Sequence, residues 1–204
     1  MQSDWASEHL QTIRTLMERS AVYRRALAPI TLFVGSLGVL TAAAGLFFHF
    51  DSLRAFGGLW LAAAVVAVVG AFFIARRQAV QHGEPFWSPP TRRVAQALAP
   101  PLAAGMCLGL AFVLAGVTNK FALEFSWLLF YGCALHAAGF FMPRGVKLFG
   151  WVYIILACIS LFIYAFVRPE IKISAHWFMG FFFGVLHLVY GVYLYLTEKG
   201  KNAA

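Results

Sequence analysis

Long blocks of apolar residues alternate with short polar segments along the chain from about residue 26 onward. Most blocks run for roughly twenty residues, the length that an α-helix needs to cross the hydrocarbon core of a bilayer. The apolar residues do not come in the short alternating runs that indicate strands. The pattern therefore predicts an all-α integral membrane protein built as a bundle of six transmembrane helices.

The polar interruptions set the predicted bounds of the spans. Within a transmembrane domain over 26–197, the spans are predicted at about 27–48, 53–75, 102–117, 121–142, 146–167 and 173–196, followed by a cytoplasmic tail over 198–204. Pro100 and Pro101 precede the third span, and proline lacks the backbone N–H of a regular helix. We therefore expect a short interfacial helix over 92–99 that kinks or breaks at these prolines, leaving a short third span.

The segment before the first span has a different pattern. Over residues 1–25, apolar side chains such as Trp5, Leu10 and Ile13 share one helical face, while Glu8 and Arg14 lie on the other. This predicts an amphipathic helix at the cytoplasmic surface of the membrane. Such a helix also makes a cytoplasmic protein partner a candidate.

Composition and charge agree with the membrane class. The chain is 61% hydrophobic and only 12% charged, whereas about a quarter of the residues in an average soluble domain are charged. The net charge of +8 does not indicate nucleic-acid binding, because the basic residues flank the apolar blocks, where they set topology and meet lipid headgroups.

The basic residues also predict the orientation of the chain. Of the 16 Lys and Arg residues, twelve lie on the side of the membrane that carries both termini, and only Arg54, Lys120, Arg168 and Lys172 lie on the other. The positive-inside rule then places both termini in the cytoplasm. Short loops in a small chain favour a bacterial inner membrane.

The sixth block carries a stripe of histidine and glycine. At 100° per residue, His176, Gly180, Gly184, His187 and Gly191 fall within about 80° of each other. Glycines on one face let another helix come close, so these three glycines are predicted to be packing positions.

Gly105 and Gly109 form a second spaced pair of glycines, in the third block, with the same predicted role. Faces of this kind also permit a homo-oligomer.

Three polar residues inside the predicted spans are the candidates for transport or binding. His136 and His187 each lie in the inner half of a span within a similar phrase, and Glu124 is the acid well inside a span. Ionisable groups are costly in hydrocarbon, so they usually face a cavity, a partner or a cofactor. We also consider simpler roles, in which each histidine is hydrogen-bonded to a neighbouring helix and Glu124 pairs with Lys120.

His49 and His176 form a second histidine pair, near the outer interface, and are secondary candidates. Two pairs at two depths resemble, in outline, the membrane cytochromes of the b type, whose histidines on facing helices ligate haem. The resemblance implies haem b as an alternative cofactor with His136 and His187 as candidate ligands. Otherwise the sequence predicts no cofactor and leaves any metal unassigned.

The chain contains no phosphate loop, HExxH motif or selectivity-filter sequence, which argues against an enzyme of a well-marked class. The leading hypothesis is a small transporter, channel or permeation-linked subunit that uses His136, His187 and Glu124. The alternatives are a bis-histidine haem protein and a non-catalytic scaffold that docks a cytoplasmic partner.

Overall fold

The computed structural model describes residues 27–83, 85–116, 120–167 and 174–202, and these residues form six long helices. The helices are α1 Leu27–Phe47, α2 Leu53–Gln81, α3 Pro89–Ala115, α4 Lys120–Ala138, α5 Arg144–Val167 and α6, which joins Ala175–Met179, Gly180–Val185 and Leu186–Asn202. The middle segment of α6 is a single π-helical stretch.

All six helices are long and apolar enough to cross a membrane, with mean hydropathy from 1.3 for α4 to 2.4 for α2. The prediction of an all-α bundle with six candidate spans is thereby confirmed. The helices differ in position, because 44% of the apolar window of α4 is buried within the bundle against 6% for α2. The central helices are α4 and α6, and any intramembrane site depends on what their buried faces carry.

The third helix does not break at Pro100 and Pro101, where the sequence predicted a kink or a break. One uninterrupted helix runs from Pro89 to Ala115 through both prolines, so no separate interfacial helix precedes it. Each proline removes one backbone hydrogen bond, but the bonds before and after the pair continue the helix, and membrane helices tolerate such gaps. The helix begins where Ser88 precedes two prolines, which favour the first turn.

The second helix also extends further than the expected end at residue 75. It continues through Arg76 and Arg77 to Gln81 and stops next to Gly83, which has a φ of +65°. Arginine and glutamine have good helix propensity, so the helix persists beyond the apolar block until a glycine permits the left-handed turn.

Glycines bring α1 and α6 into direct contact. A Cβ atom added to Gly38 would lie 2.3 Å from the backbone oxygen of Phe183, and one added to Gly184 would lie 2.9 Å from the backbone nitrogen of Val39. Gly180 lies against the side chain of Ala42, and Gly191 lies against that of Leu32. These glycines therefore let two helix backbones approach within a distance that no larger residue permits.

The glycines of α3 have a different neighbour. Gly105 lies against the Phe130 side chain and Gly109 against the Trp127 indole, so both face α4. All five glycines that the sequence singled out for packing thus contact a neighbouring helix of the same chain. Whether glycine-lined faces also support a homo-oligomer stays a prediction.

The amphipathic helix predicted over 1–25 lies outside the described residues, and the role of this segment stays a prediction. Deleting residues 1–24 and comparing the proteins that co-purify with the full chain tests whether it docks a cytoplasmic partner. Unchanged complexes would count against the scaffold hypothesis.

Candidate functional site

His187 lies at the centre of the bundle in a network that joins α4, α5 and α6. Its Nε2 atom is 2.6 Å from the Tyr131 hydroxyl, and its Nδ1 atom is 3.0 Å from the Tyr153 hydroxyl. The Tyr153 hydroxyl also donates to the carbonyl oxygen of Phe182, at 2.5 Å. His187 is only 1% exposed, and each ring nitrogen has a partner.

The donors and acceptors of this network can be assigned. Because the Phe182 carbonyl can only accept, Tyr153 donates to it, and the Tyr153 oxygen accepts from Nδ1–H of His187. In a neutral imidazole Nε2 is then unprotonated and accepts from the Tyr131 hydroxyl. The Tyr131 oxygen is left with acceptor capacity only.

The carbonyl that anchors this network belongs to the π-helical segment of α6. There the N–H of Leu186 donates to the carbonyl of Phe181, five residues back rather than four. Such segments are rare and shift the register of the helix that follows. The same segment brings Phe182 against Tyr153 and Phe183 against Tyr131.

His176 forms a second buried connection, near the outer end of α6. The indole N–H of Trp60 donates to its Nδ1 atom at 3.2 Å, and its Nε2–H donates to the carbonyl of Phe50 at 3.2 Å. An indole nitrogen can only donate, so this arrangement requires the neutral Nε2–H tautomer. His176 links α6 to α2 and to the turn between α1 and α2.

His176 was expected near the outer interface, and it lies near the outer end of α6, but its side chain faces the interior of the bundle. It is 1% exposed, and its ring lies 5.0 Å from that of Phe56. The position of a residue within an apolar block predicts its depth along the membrane normal. It does not predict whether the side chain faces the interior of the bundle. Here Gly45 of α1 leaves the space, since a Cβ atom there would lie 2.2 Å from the His176 ring.

His49, the other secondary candidate, is exposed and lies in the turn after α1. Its φ of 52° is left-handed, and the N–H of the next residue, Phe50, donates to the carbonyl of Gly45 at 3.0 Å. This is the position that glycine usually occupies at a helix C-terminus. The structure does not bring the side chains of His49 and His176 together as a pair of ligands. His176 instead contacts the backbone of this turn, at the carbonyl of Phe50.

Glu124 is fully buried on α4, with 0% exposure. Neither of its carboxyl oxygens has a hydrogen-bond partner among the described residues, so the pair with Lys120 is not hydrogen-bonded. Glu124 and Tyr131 are seven residues apart, which puts them on the same face of α4, about 10 Å apart along its axis. The central helix thus carries, two turns from the His187 network, a buried carboxyl group without a hydrogen-bond partner among the described residues.

His136 lies two residues before the end of α4, and its ring contacts Phe140 and Trp151. Its Nδ1 atom is buried and has no hydrogen-bond partner within the part of the chain that the structure describes. His136 is five residues after Tyr131, so its side chain leaves α4 about 140° away from the face that carries Tyr131. None of the described contacts joins His136 to His187. The described side-chain partners of His187 are Tyr131 and Tyr153 instead.

A cavity of about 360 Å³ lies beside the His187 network, between α1, α2, α3, α4 and α6. Its walls are almost wholly apolar, and Tyr131, Phe183, Trp60 and Trp127 are among the residues that line it. At the wall of this cavity the Trp127 indole donates to the carbonyl of Gly105 on α3 at 3.0 Å.

Sequence reasoning missed Tyr131, Tyr153 and Trp60 as partners of the two buried histidines. A signal existed, because each is an amphipathic aromatic residue in the middle of an apolar block, where its hydroxyl or N–H needs a partner. The pattern of one helix cannot show which partner that is.

The contacts do not fit His187 as a haem ligand. Both of its ring nitrogens are engaged, and ligation through Nε2 would require the loss of the 2.6 Å contact with Tyr131. Among the described residues, no group of three or more His, Cys, Asp or Glu side chains could hold a metal ion. Haem binding stays a prediction, and a Soret band in the purified protein is its test.

Six helices that are long and apolar enough to span a membrane make the fold compatible with a polytopic α-helical membrane protein, and the site adds buried histidine networks and an adjoining cavity. Comparison with protein-family models, curated proteins and solved structures found no match.

Proposed function

We propose that this protein is a small proton-coupled transporter of a bacterial inner membrane. In this proposal Glu124 binds the coupled proton, and the cavity beside Tyr131 and His187 holds the substrate. The observation that carries the proposal is the buried Glu124 carboxyl group, whose two oxygens have no hydrogen-bond partner among the described residues.

A carboxylate in this position is costly unless something compensates its charge. An ionised carboxylate in apolar surroundings needs a hydrogen-bond donor, a cation or a proton, and intramembrane acids often serve as ion or proton sites. A hydrogen-bond donor is absent from the described contacts of Glu124. Lys120, one turn earlier, supplies a positive charge that acts on this carboxyl group but no hydrogen bond. A proton that binds and leaves is the partner that we propose in addition.

The arrangement on α4 supports coupling between this acid and the cavity. Glu124 and Tyr131 lie on one face of the helix, and Tyr131 both lines the cavity and contacts His187. Because α4 is the most buried helix, a change in the charge of Glu124 acts on packed side chains rather than on lipid. Substrate at Tyr131 and a proton at Glu124 can then influence each other through a shared rigid element.

The orientation is part of the proposal. Twelve of the 16 basic residues flank the spans on the side of the termini, so both termini are placed in the cytoplasm. A fluorescent protein and a periplasmic phosphatase, fused in turn to the C-terminus, test this. Fluorescence without phosphatase activity is expected, and the reverse pattern would overturn the orientation.

Proteoliposomes that contain the pH-sensitive dye pyranine test the transport function. With a potassium diffusion potential set by valinomycin, the wild type is expected to acidify the lumen faster than protein-free liposomes. Glu124→Gln keeps the size of the side chain but removes the titratable group, so it should reduce the rate to that of protein-free liposomes. His187→Ala should do the same, because it breaks the network at the cavity.

The matched control is Asp51→Asn, which makes the same chemical change at an exposed acid in the turn before α2. It should leave the proton flux unchanged. Equal flux in the wild type and the folded Glu124→Gln variant would remove the proposal.

His136 is tested separately, because the structure places it away from the cavity. The hypothesis from sequence expects His136→Ala to abolish transport while the protein stays folded. Wild-type flux in this variant would remove His136 from the pathway but leave Glu124 and His187 within it.

A further inference from the structure

The cavity beside Tyr131 has the size and surface of a site for a small lipophilic molecule. Its volume of about 360 Å³ lies within the range typical of ligand sites, which are mostly apolar with a few polar groups. Ala64 and Ala67 of α2 and Leu102 of α3 supply small or flexible apolar walls, and Phe130 and Phe183 supply aromatic ones.

One side of the cavity is open to the surroundings of the bundle. Val65 and Val68 of α2 and Met106 of α3 line it, and they are 51%, 59% and 49% exposed. These residues lie in the middle of helices that are apolar enough to cross a membrane. An opening at this depth faces lipid, so a ligand would enter from the bilayer rather than from water.

Tyr131 determines whether the polar group of a ligand in this cavity must donate or accept a hydrogen bond. Its hydroxyl donates to Nε2 of His187, so its oxygen has only acceptor capacity left. Trp60 and Trp127 also line the cavity, but their indole N–H groups already donate to Nδ1 of His176 and to the Gly105 carbonyl, respectively. A ligand that donates a hydrogen bond is therefore favoured over one that only accepts.

From this we infer that the cavity binds a lipophilic alcohol, with its apolar body between α2, α3 and α4 and its hydroxyl donating to Tyr131. In the proposed transport cycle this alcohol is the substrate, so its role there rests on the proposed function. Binding itself can be tested without any flux.

The test uses the two tryptophans of the cavity as reporters. One variant of the full chain keeps Trp60 and Trp127 and has phenylalanine at its other four tryptophan positions. A second keeps only Trp151 and Trp177, which are exposed on the outside of the bundle. Each is placed in nanodiscs and titrated with an ω-brominated undecanol, since bromine quenches tryptophan fluorescence on contact.

The expected result is saturable quenching of Trp60 and Trp127 and linear quenching of Trp151 and Trp177, which report only partitioning into lipid. The methyl ether of the same probe accepts but cannot donate, so it should bind roughly five- to tenfold more weakly, as for the loss of one hydrogen bond. Tyr131→Phe should weaken binding of the alcohol by a similar factor and leave binding of the ether unchanged.

A matched pair of variants locates the probe. Ala67→Phe places a ring inside the cavity and should abolish saturable quenching. Ala62→Phe makes the same change on an exposed position of α2 that does not line the cavity, and it should have no effect.

Three outcomes would overturn the inference: linear quenching in both reporters, equal affinity for the alcohol and its ether, or unchanged affinity in Ala67→Phe. The ether comparison needs no substitution at Tyr131, so it stands even if Tyr131→Phe does not fold. Saturable binding without Glu124-dependent proton flux would keep this site and remove the transport proposal. Glu124-dependent proton flux with linear quenching in both reporters would keep the transport proposal and remove this site.

Discussion

The hydroxyl of Tyr153 and Nδ1 of His187 lie 3.0 Å apart at the centre of the bundle, although 34 residues separate them in sequence. The same hydroxyl donates to the Phe182 carbonyl in the π-helical segment of α6. One tyrosine of α5 therefore holds both the side chain and the backbone of the helix that carries the candidate site.

This arrangement predicts that Tyr153→Phe destabilises the protein. It removes the donor to Phe182 and one of the two acceptors near Nδ1 of His187, the other being the Phe182 carbonyl at 3.3 Å, while keeping the ring. The unfolding free energy should therefore fall by about 1–3 kcal/mol. Titration of SDS into mixed micelles measures this free energy. Tyr164→Phe is the control on the same helix, because the Tyr164 hydroxyl makes no hydrogen bond with a described residue, and a comparable loss there would contradict the argument.

The bond between Trp60 and His176 gives a second prediction. Trp60→Phe leaves the buried Nδ1 atom of His176 without a donor, which should lower the unfolding free energy by about 1–3 kcal/mol. Trp177→Phe makes the same change at a side chain that is 63% exposed and should have little effect.

Because Trp60 also lines the cavity, a double-mutant cycle with His176→Phe separates the bond from packing. A bond between the two residues requires the double variant to lose less stability than the sum of the single variants. Additive losses would show that packing alone explains the Trp60→Phe result.

The crossing of α1 and α6 predicts a steric effect of a single methyl group. Gly38→Ala places its Cβ 2.3 Å from the backbone oxygen of Phe183, which cannot move without a shift of the helix. We expect a loss of about 1–3 kcal/mol in unfolding free energy, typical of overpacking.

Gly58→Ala is the matched control for that prediction, because a Cβ atom at Gly58 meets nothing within 4 Å. Alanine has the better helix propensity, so this variant should be unchanged or more stable by up to about 1 kcal/mol. If both variants behave alike, close helix contact does not explain the glycine at position 38.

The left-handed turn at His49 predicts a stabilising substitution. Its φ of 52° is unfavourable for a residue with a Cβ atom and costs nothing for glycine. His49→Gly should therefore raise the unfolding free energy by about 1 kcal/mol. His49→Ala removes the imidazole but keeps the Cβ atom, so a gain of the same size there would show that the backbone is not the cause.

The distribution of apolar residues was sufficient to predict the helical class and the number of candidate spans. Long apolar blocks have few stable alternatives, because every backbone polar group within a bilayer needs an internal partner. The block pattern also located the polar residues inside the spans, among them Glu124 and His187. The block pattern did not predict that α3 continues through Pro100 and Pro101. The rule that proline interrupts a helix considers one residue and ignores the hydrogen bonds on either side of it.

The partners of those polar residues depended on the tertiary structure. The sequence suggested His136 for His187, since both lie in similar phrases at similar predicted depth, whereas the structure gives His187 two tyrosines from α4 and α5. It also shows that His176, near the outer end of α6, is buried against Trp60. Helical periodicity fixes which residues share a face, but the crossing of helices, set here by glycines such as Gly38 and Gly184, decides which faces meet.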